Sequence, residues 1–409
     1  MRLVISIIVV LLGYVSGHSQ VPDKYLRMAA ENNPGLQAAY AEFEAALQKV
    51  PQLKSLPDPD LSFGYFISPV ETRVGPQRAR LSLSQMFPWF GTLRAQADVA
   101  ALEAEARYQQ FLDERNKLYY RVADAWYPLF ELGRWKEIEQ ENIDILQSYK
   151  SIAESRFQNG EGDMADVLRV DIMINDALSS LSILKKKEKP LLTAFNKLLN
   201  RDESEEVELP DSLDTAYLPA VIERDSMLNN NPALNAFDLK VEAGEAGEEA
   251  ARRQGLPKLG LGLDYVIVGE RTDMSVADNG RDVLMPMITL SIPVYRNKYK
   301  ASVKQAQLMQ KSYSLQKEEY ANSLISNYEM AVYEIQRQKE LIELYREQIQ
   351  ESAQVLRLLV SAYSNSGNEF EEVLRMQQQM LRYRKMKASA EAEYRTALAG
   401  LNYLTGKNY

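Results

Sequence analysis

The chain contains two similar segments about 206 residues apart, and this duplication restricts the folds that it can adopt. A long helical pattern is broken near 159–162 in the first segment and near 365–368 in the second. Each break follows an aromatic residue and combines Asn with Gly, which ends a helix in a left-handed turn. The pattern then resumes in register, because Asp166-Val167-Leu168-Arg169 matches Glu372-Val373-Leu374-Arg375. A period this long does not suit a solenoid, so the sequence predicts two copies of one unit that ends in a helical hairpin.

Each copy opens with the same helix-start signal, an Asn followed by Pro. Asn33-Pro34 and Asn231-Pro232 each place a capping side chain before a proline in the first helical turn. A charged segment, Arg201 to Pro210, lies between the copies. We therefore expect a first repeat over 20–205 and a second repeat over 206–409.

After the first opening, the pattern changes from helical to alternating, which predicts a β-hairpin over 59–86. Its strands are expected at 59–68 and 77–85, joined by a loop at 69–76. Apolar residues occupy one face of each strand, and polar residues occupy the other. The hairpin is therefore expected to have one apolar and one polar surface.

The second copy repeats this arrangement over 257–292, with strands at 259–267 and 282–292. Pro286 interrupts the last strand, and a proline belongs at a sheet edge or a bulge because it lacks a backbone donor. All four strands have roughly the 9 to 11 residues of a tilted transmembrane strand. Four strands cannot close a membrane barrel, which needs about eight. The strands form either an ordinary half-buried sheet or part of a barrel shared between chains.

Two unusually long helices are expected after the strand pairs, at about 92–157 and 299–363. In the second helix, core positions recur at alternating steps of three and four residues, which is the period of a coiled coil. Gln338 and Ser352 occupy two of those positions. Shorter helices at about 163–199 and 369–403 are expected to return antiparallel to the long ones.

The N-terminus has the pattern of a cleaved signal peptide over 1–19. Arg2 precedes a mostly apolar run from Leu3 to Val15, and small residues follow. The alternative is a membrane anchor, but the run is shorter than the roughly 20 residues of a spanning helix. We therefore expect an exported protein.

The chain has one histidine, His18 within the predicted signal, and no cysteine. A mature chain without these residues cannot form a Cys-His pair, a Ser-His-Asp triad or a soft metal site, and it has no cysteine for a lipoprotein anchor. Carboxylate catalysis and oxygen-ligand sites stay open. The formal charge is −9 and the basic residues are interspersed with acids, which makes nucleic acid an improbable partner.

The order and duplication of these segments resemble the TolC family of bacterial outer-membrane efflux channels. The resemblance covers 21–406 and includes Ser84-Gln85-Met86-Phe87-Pro88-Trp89-Phe90-Gly91 and Ser291-Ile292-Pro293-Val294-Tyr295, which follow the strand pairs. It implies a mainly helical fold with a membrane β-barrel, in which a homotrimer forms twelve strands and a long periplasmic α-barrel. It also implies a passive exit duct without cofactor or catalysis, joined through a periplasmic adaptor to an inner-membrane transporter.

The resemblance implies which face of the sheet contacts lipid and which face lines the lumen. The residues that it places towards outer-membrane lipid are Leu61, Phe63, Tyr65, Ile67, Leu261, Leu263 and Tyr265. The polar residues that it places towards the lumen are Arg78, Arg80 and Asp264. A charge on the lipid face would cost a few kcal/mol near the midplane.

The resemblance also implies roles for the helical turns. The candidates for a periplasmic gate are Asp166, Arg169, Glu372 and Arg375. The residues implied to dock on the adaptor are Arg156, Phe157, Asn159, Gly160, Tyr363, Asn365 and Gly367. For the gate residues the alternative is a solvated helix face, and an Arg–Glu network could instead lock the tip.

Two other classes of protein would have different sequence features. A pore-less periplasmic adaptor or coiled-coil scaffold would have one helical hairpin and a separate β-rich module, and a carboxylate enzyme would need paired acids in a pocket. For the cargo, Leu56-Pro57-Asp58-Pro59 and Phe87-Pro88-Trp89-Phe90-Gly91 are similar to the heavy-metal branch of the family. This similarity suggests metal export, and drugs, other small molecules and a secreted polypeptide stay open.

Overall fold

The structure is a computed structural model that describes residues 21–215, 224–366 and 370–406. The predicted signal peptide over 1–19 and the predicted docking residue Gly367 lie outside this part of the chain. The described residues fall into two compact units. The helical unit comprises residues up to Ala38 with Leu112–Asn231 and Ala321–Tyr409, and the sheet unit comprises Ala39–Phe111 and Pro232–Tyr320.

Both copies show the same order of elements, as the duplication predicted. The first copy contains α1 (Asp23–Asn32), α2 (Pro34–Lys54), β1 (Asp60–Thr72), β2 (Gly75–Phe87), α3 (Thr92–Gln158) and α4 (Met164–Leu198). The second copy contains α5 (Arg224–Asn230), α6 (Pro232–Gln254), β3 (Lys258–Val268), β4 (Val283–Ser291), α7 (Asn297–Ser366) and α8 (Phe370–Leu404). The two long helices, α3 and α7, have 67 and 70 residues. No helix in the described ranges has both the length and the apolar character needed to cross a membrane.

The four strands form one antiparallel sheet in the order β1-β2-β3-β4, so strands of both copies meet at β2 and β3. β1 and β4 are the edge strands of the chain. This agrees with the expectation that Pro286, in β4, lies at an edge.

The expected loop at 69–76 is wrong, because the first two strands continue through it. Thr72 pairs with Gly75, which leaves a turn of two residues, and the Thr72 hydroxyl donates to the Gly75 carbonyl at 2.7 Å. Gly75 has φ +128°, a conformation that favours glycine. Pro69 is accommodated because the β1–β2 pairing is irregular between Tyr65 and Val70.

The two Asn-Pro signals have equivalent roles in the helical unit. The side-chain amide of Asn33 donates to the Leu198 carbonyl at 2.9 Å, and that of Asn231 donates to the Leu404 carbonyl at 3.2 Å. Asn33 Oδ1 also accepts from the backbone of Leu36 at 3.1 Å, which is a helix cap. Each Asn therefore links the start of an early helix to the last turn of the returning helix in its own copy.

The core of the helical unit mixes apolar and polar layers. Ile143, Leu146, Val170 and Leu374 belong to one apolar cluster at the end that contains the turns. Further along, the Lys385 ammonium forms an ion pair with the buried carboxylate of Glu139. The predicted polar seam residues Gln338 and Ser352 are both buried. The Gln338 side-chain amide donates to the Glu393 carboxylate at 2.6 Å, which offsets part of the cost of burying it.

Candidate functional site

Apolar side chains line one face of the sheet across several strands. Leu61 pairs with Leu83, and Leu83 pairs with Leu263, while Phe63 and Tyr265 flank Leu81 in the neighbouring row. All of these side chains are exposed, Phe63 to 70%. The other predicted lipid-facing residues Tyr65, Ile67 and Leu261 are exposed as well. A contiguous exposed apolar face of this kind is typical of a surface that contacts lipid or another protein.

The opposite face of the sheet carries an ion pair. Asp264 of β3 is fully buried, and its carboxylate accepts from the Arg80 guanidinium of the neighbouring strand β2. Ser62, Ser82 and Asp264 form one row across three strands. The structure therefore brings together two of the three residues predicted to face a lumen, although Asp264 is enclosed by its neighbours.

Arg78, the third predicted lumen residue, lies elsewhere on the sheet. It falls where the β2–β3 register shifts, between Gln77 and Ala79. Its guanidinium covers Gly269, where an added Cβ atom would clash with Arg78 Nε. Arg78 therefore closes the loop end of the hairpin and is not part of the Arg80–Asp264 pair.

The first helical turn has the chemistry that the sequence indicated. Gly160 has φ +74°, and its amide donates to the Phe157 carbonyl at 3.0 Å. The Glu161 amide donates to the Arg156 carbonyl at 2.9 Å, which completes the left-handed helix end. Asp163 then caps α4 by accepting from the Ala165 amide at 2.9 Å.

Arg156 joins the two helical hairpins within the chain. Its guanidinium donates to the Tyr363 carbonyl and, at 3.0 Å, to the Glu161 carbonyl. Cζ of Arg156 lies 4.8 Å from the centre of the Tyr363 ring, a cation–π distance. The same ring stacks on Phe370 with centroids 4.4 Å apart. This cluster holds the end of α7 against the beginning of α8.

The two aromatic residues of the duplicated turns differ in exposure. Phe157 is 46% exposed, whereas Tyr363 is only 4% exposed because Arg156 and Phe370 cover it. Asn159 and Asn365 are both exposed. Of the residues predicted to dock on a partner, Phe157, Gly160 and the two Asn are therefore exposed, whereas Tyr363 is covered by Arg156 and Phe370.

The charged gate candidates form two separate groups. Arg169 lies 3.5 Å from the Asp166 carboxylate and 3.7 Å from that of Glu371, so it connects α4 with α8. Arg375 lies 3.3 Å from Glu372 on the same helix. The sequence did not single out Glu371, although the adjacent acids Glu371-Glu372 in the first turn of α8 were a signal for it.

Asp166 is the less exposed of the two candidate gate carboxylates. Burial raises the pKa of Asp166, and the neighbouring Arg169 opposes this effect. The nearby Asp163 also raises the pKa, while Tyr363 and Arg156 lower it. Among the residues that the structure describes, no group of three or more His, Cys, Asp or Glu side chains is arranged to hold a metal ion.

Solved structures of outer-membrane channels share this fold. CusC has a TM-score of 0.78 at 16% identity, covering 94% of this chain and 92% of its own. VceC from Vibrio cholerae has a TM-score of 0.76 at 16% identity, covering 94% and 95%. The open state of MtrE from Neisseria gonorrhoeae has a TM-score of 0.72 at 17% identity, covering 94% and 88%. The fold is therefore the internally duplicated, TolC-like fold of outer-membrane channels, with four strands in each chain.

The family is shown by the sequence itself. The model of outer membrane efflux proteins matches residues 25–200 and 224–407, one match for each copy. The chain therefore belongs to the outer membrane efflux protein family. A search of curated proteins finds no match.

This family membership decides between the functions that the sequence left open. The protein is an outer-membrane efflux channel component, and the family is one of transport proteins and not of enzymes. The adaptor or scaffold alternative is not favoured. The residues that the structure describes contain two helical hairpins and one sheet built from strands of both copies, in contrast to the single hairpin and separate β module expected of an adaptor.

Proposed function

We propose that three copies of this chain form a passive exit duct in the outer membrane, with a twelve-stranded barrel and a long periplasmic α-barrel. The observation that carries this proposal is the sheet of four strands with one exposed apolar face. Such a sheet leaves β1 and β4 as edges, and edges are not tolerated in the hydrocarbon core. Pairing β4 of one copy with β1 of the next satisfies both edges and gives the strand number of a closed barrel.

The helical turns are the proposed periplasmic end of the duct. Phe157, Asn159 and Gly160 form an exposed turn with an apolar side chain, which suits docking on the helical hairpin of a periplasmic adaptor. An inner-membrane transporter would drive export through that adaptor. Three copies would present two kinds of turn in alternation, since Phe157 is exposed and Tyr363 is buried.

Asp166 and Glu372 are proposed to set the ion selectivity of this end. Each carboxylate lies beside an arginine, at 3.5 Å from Arg169 and 3.3 Å from Arg375. Removing either carboxylate would remove one negative charge from this end in each of three chains. Rings of charged side chains control which ions enter a pore.

Conductance in planar bilayers tests this function. We expect the trimer to conduct, and we expect Asp166→Asn and Glu372→Gln to lower the cation-to-anion permeability ratio about twofold or more.

The raised pKa of Asp166 delays its ionisation to a higher pH than that of an exposed Asp. Cation selectivity of the wild type should therefore increase as pH rises through that pKa, and Asp166→Asn should lack this step.

The matched control is Asp176→Asn, which removes an exposed carboxylate from the same helix as Asp166. Its permeability ratio should equal that of the wild type. A wild-type protein that inserts but does not conduct would contradict the duct. Conducting variants with unchanged selectivity and unchanged pH dependence would remove Asp166 and Glu372 from the gate.

A further inference from the structure

A small cavity lies within the sheet unit, where the strands meet the helices. Its volume is about 240 Å³, and it lies between the ends of α6 and β2 and the beginnings of β3, α3 and α7. Among the described residues that line it are three basic side chains, Arg253, Lys258 and Lys298, and no acidic one. The chain as a whole has a formal charge of −9, so this local excess of positive charge indicates a site for an anion.

Arg253 is held in the wall of the cavity by the turn before α3. Its Nη1 atom donates to the Phe90 carbonyl at 3.3 Å, and its Nε atom donates to the Glu249 carboxylate at 2.6 Å. Gly91 leaves room for the guanidinium, since Gly91 has φ +80° and an added Cβ atom would clash with Arg253 Nη1. Glu249 neutralises part of the charge of Arg253, and the two contacts together fix the position of its guanidinium.

The two lysines of the cavity provide charge that no carboxylate neutralises. Within the described ranges, neither Lys258 nor Lys298 forms an ion pair. Lys258 is the first residue of β3, and it lies on the polar face of the sheet because Asp264 is six residues further along the same strand. Lys298 lies in the first turn of α7. An anion in the cavity therefore has two unpaired ammonium groups available to it.

Two aromatic rings, those of Trp89 and Tyr299, also line the cavity. The Tyr299 ring packs on Gly255, where an added Cβ atom would lie 3.2 Å from it. The Lys298 ammonium lies 5.9 Å from the centre of the same ring. Trp89 is exposed, so a ligand can reach its indole ring. Aromatic surfaces beside a few charged groups are typical of sites that bind small organic molecules.

We propose that this cavity binds a small organic anion, of the class of aromatic phosphate monoesters, during its passage through the duct. Arg253, Lys258 and Lys298 contact the oxyanion, and the rings of Trp89 and Tyr299 pack on the organic part. The inference rests on the proposed function in taking the polar face of the sheet to line the duct. With three copies, the duct carries three such cavities at the level where the barrel begins.

Binding of phenyl phosphate to the purified full-length trimer tests the proposal. We expect calorimetry to show about one phenyl phosphate per chain, with a change in tryptophan fluorescence that is absent in Trp89→Phe. The double variant Lys258→Gln, Lys298→Gln should bind phenyl phosphate about tenfold more weakly or less. Both lysines are exposed and unpaired within the described ranges, so this variant is expected to fold and form the same trimer. Phenol has the ring without the charge and should also bind about tenfold more weakly or less.

The control is a second double variant, Lys185→Gln, Lys186→Gln, which removes two exposed lysines from α4 in the helical unit. It should bind phenyl phosphate like the wild type. Equal affinity of the Lys258→Gln, Lys298→Gln variant and the wild type would overturn the proposal. Binding of phenol as tight as that of phenyl phosphate, or binding that leaves the tryptophan fluorescence unchanged, would overturn it as well.

Two further measurements separate the sources of the anion and the levels of the argument. Phosphatidylglycerol in mixed micelles is not expected to displace phenyl phosphate, and displacement at an equal concentration would assign the cavity to a lipid head group instead of a soluble anion. A trimer that conducts but does not bind phenyl phosphate overturns only the anion site. A protein that binds phenyl phosphate but does not conduct overturns only the duct.

Discussion

Replacing Leu83 with arginine is expected to abolish the membrane-inserted trimer. Leu83 lies in the middle of the apolar face, between Leu61 and Leu263, and its side chain is exposed. An arginine facing lipid near the bilayer midplane costs about 2 to 4 kcal/mol, and each trimer would carry three. The measurement is the amount of heat-modifiable trimer in outer-membrane fractions.

The neighbouring residue provides the matched control for this experiment. Ser82 is on the same strand but faces the side of Arg80 and Asp264, so Ser82→Arg should still give a trimer. Equal loss of trimer in both variants would show that the two faces of the sheet do not differ in their tolerance of an arginine. Normal assembly of Leu83→Arg would contradict the assignment of this face to lipid.

Removing the Arg80 guanidinium is expected to have the second largest effect. Asp264 is fully buried, and Arg80→Ala would leave its carboxylate without the ion pair. The Arg80 side chain is 44% exposed, so the cost is expected to be below the about 3 kcal/mol of breaking a fully buried pair, with most of it from the charge left on Asp264. We therefore expect Arg80→Ala to lower the temperature at which the trimer dissociates, measured by heat modifiability over a temperature series.

The double variant Arg80→Ala, Asp264→Ala separates the charge from the side-chain volume. It should recover much of the lost thermal stability, because no buried charge is left unpaired. Arg78→Ala, two residues earlier on the same strand, serves as the control and should have a smaller effect. A double variant as unstable as Arg80→Ala would show that packing, and not the buried carboxylate, is responsible.

The sequence predicted the elements whose signals are local. The alternation of β1 to β4, the Asn33 and Asn231 openings and the ends of α3 and α7 all depend on short-range chemistry. The exception was the 69–76 segment. There Pro69 and Pro76 suggested a loop, but cross-strand pairing with an irregular register continued both strands.

Differences between the two copies at the tips could not be predicted in the same way. Phe157 and Tyr363 are equivalent by offset, yet only Tyr363 is buried, because Arg156 reaches across from the first copy. Similarly, Glu372 is the residue that the offset matches to Asp166, yet the α8 carboxylate that Arg169 approaches is that of its neighbour Glu371. These contacts depend on how the two hairpins pack on each other. The positions of residues along the sequence do not provide that information.

Disulfide crosslinking between edge strands tests the central claim, that β1 of one copy pairs with β4 of the next. The natural sequence has no cysteine, so one cysteine at Ser62 on β1 can be combined with one at each position of β4 in turn. Within a chain these edges are three strand spacings apart, about 14 Å, which exceeds the reach of a disulfide. We predict that at least one pair gives, on oxidation, covalent dimers and trimers and nothing larger. Monomers at every position, or a ladder that continues beyond three chains, would contradict the closed trimeric barrel.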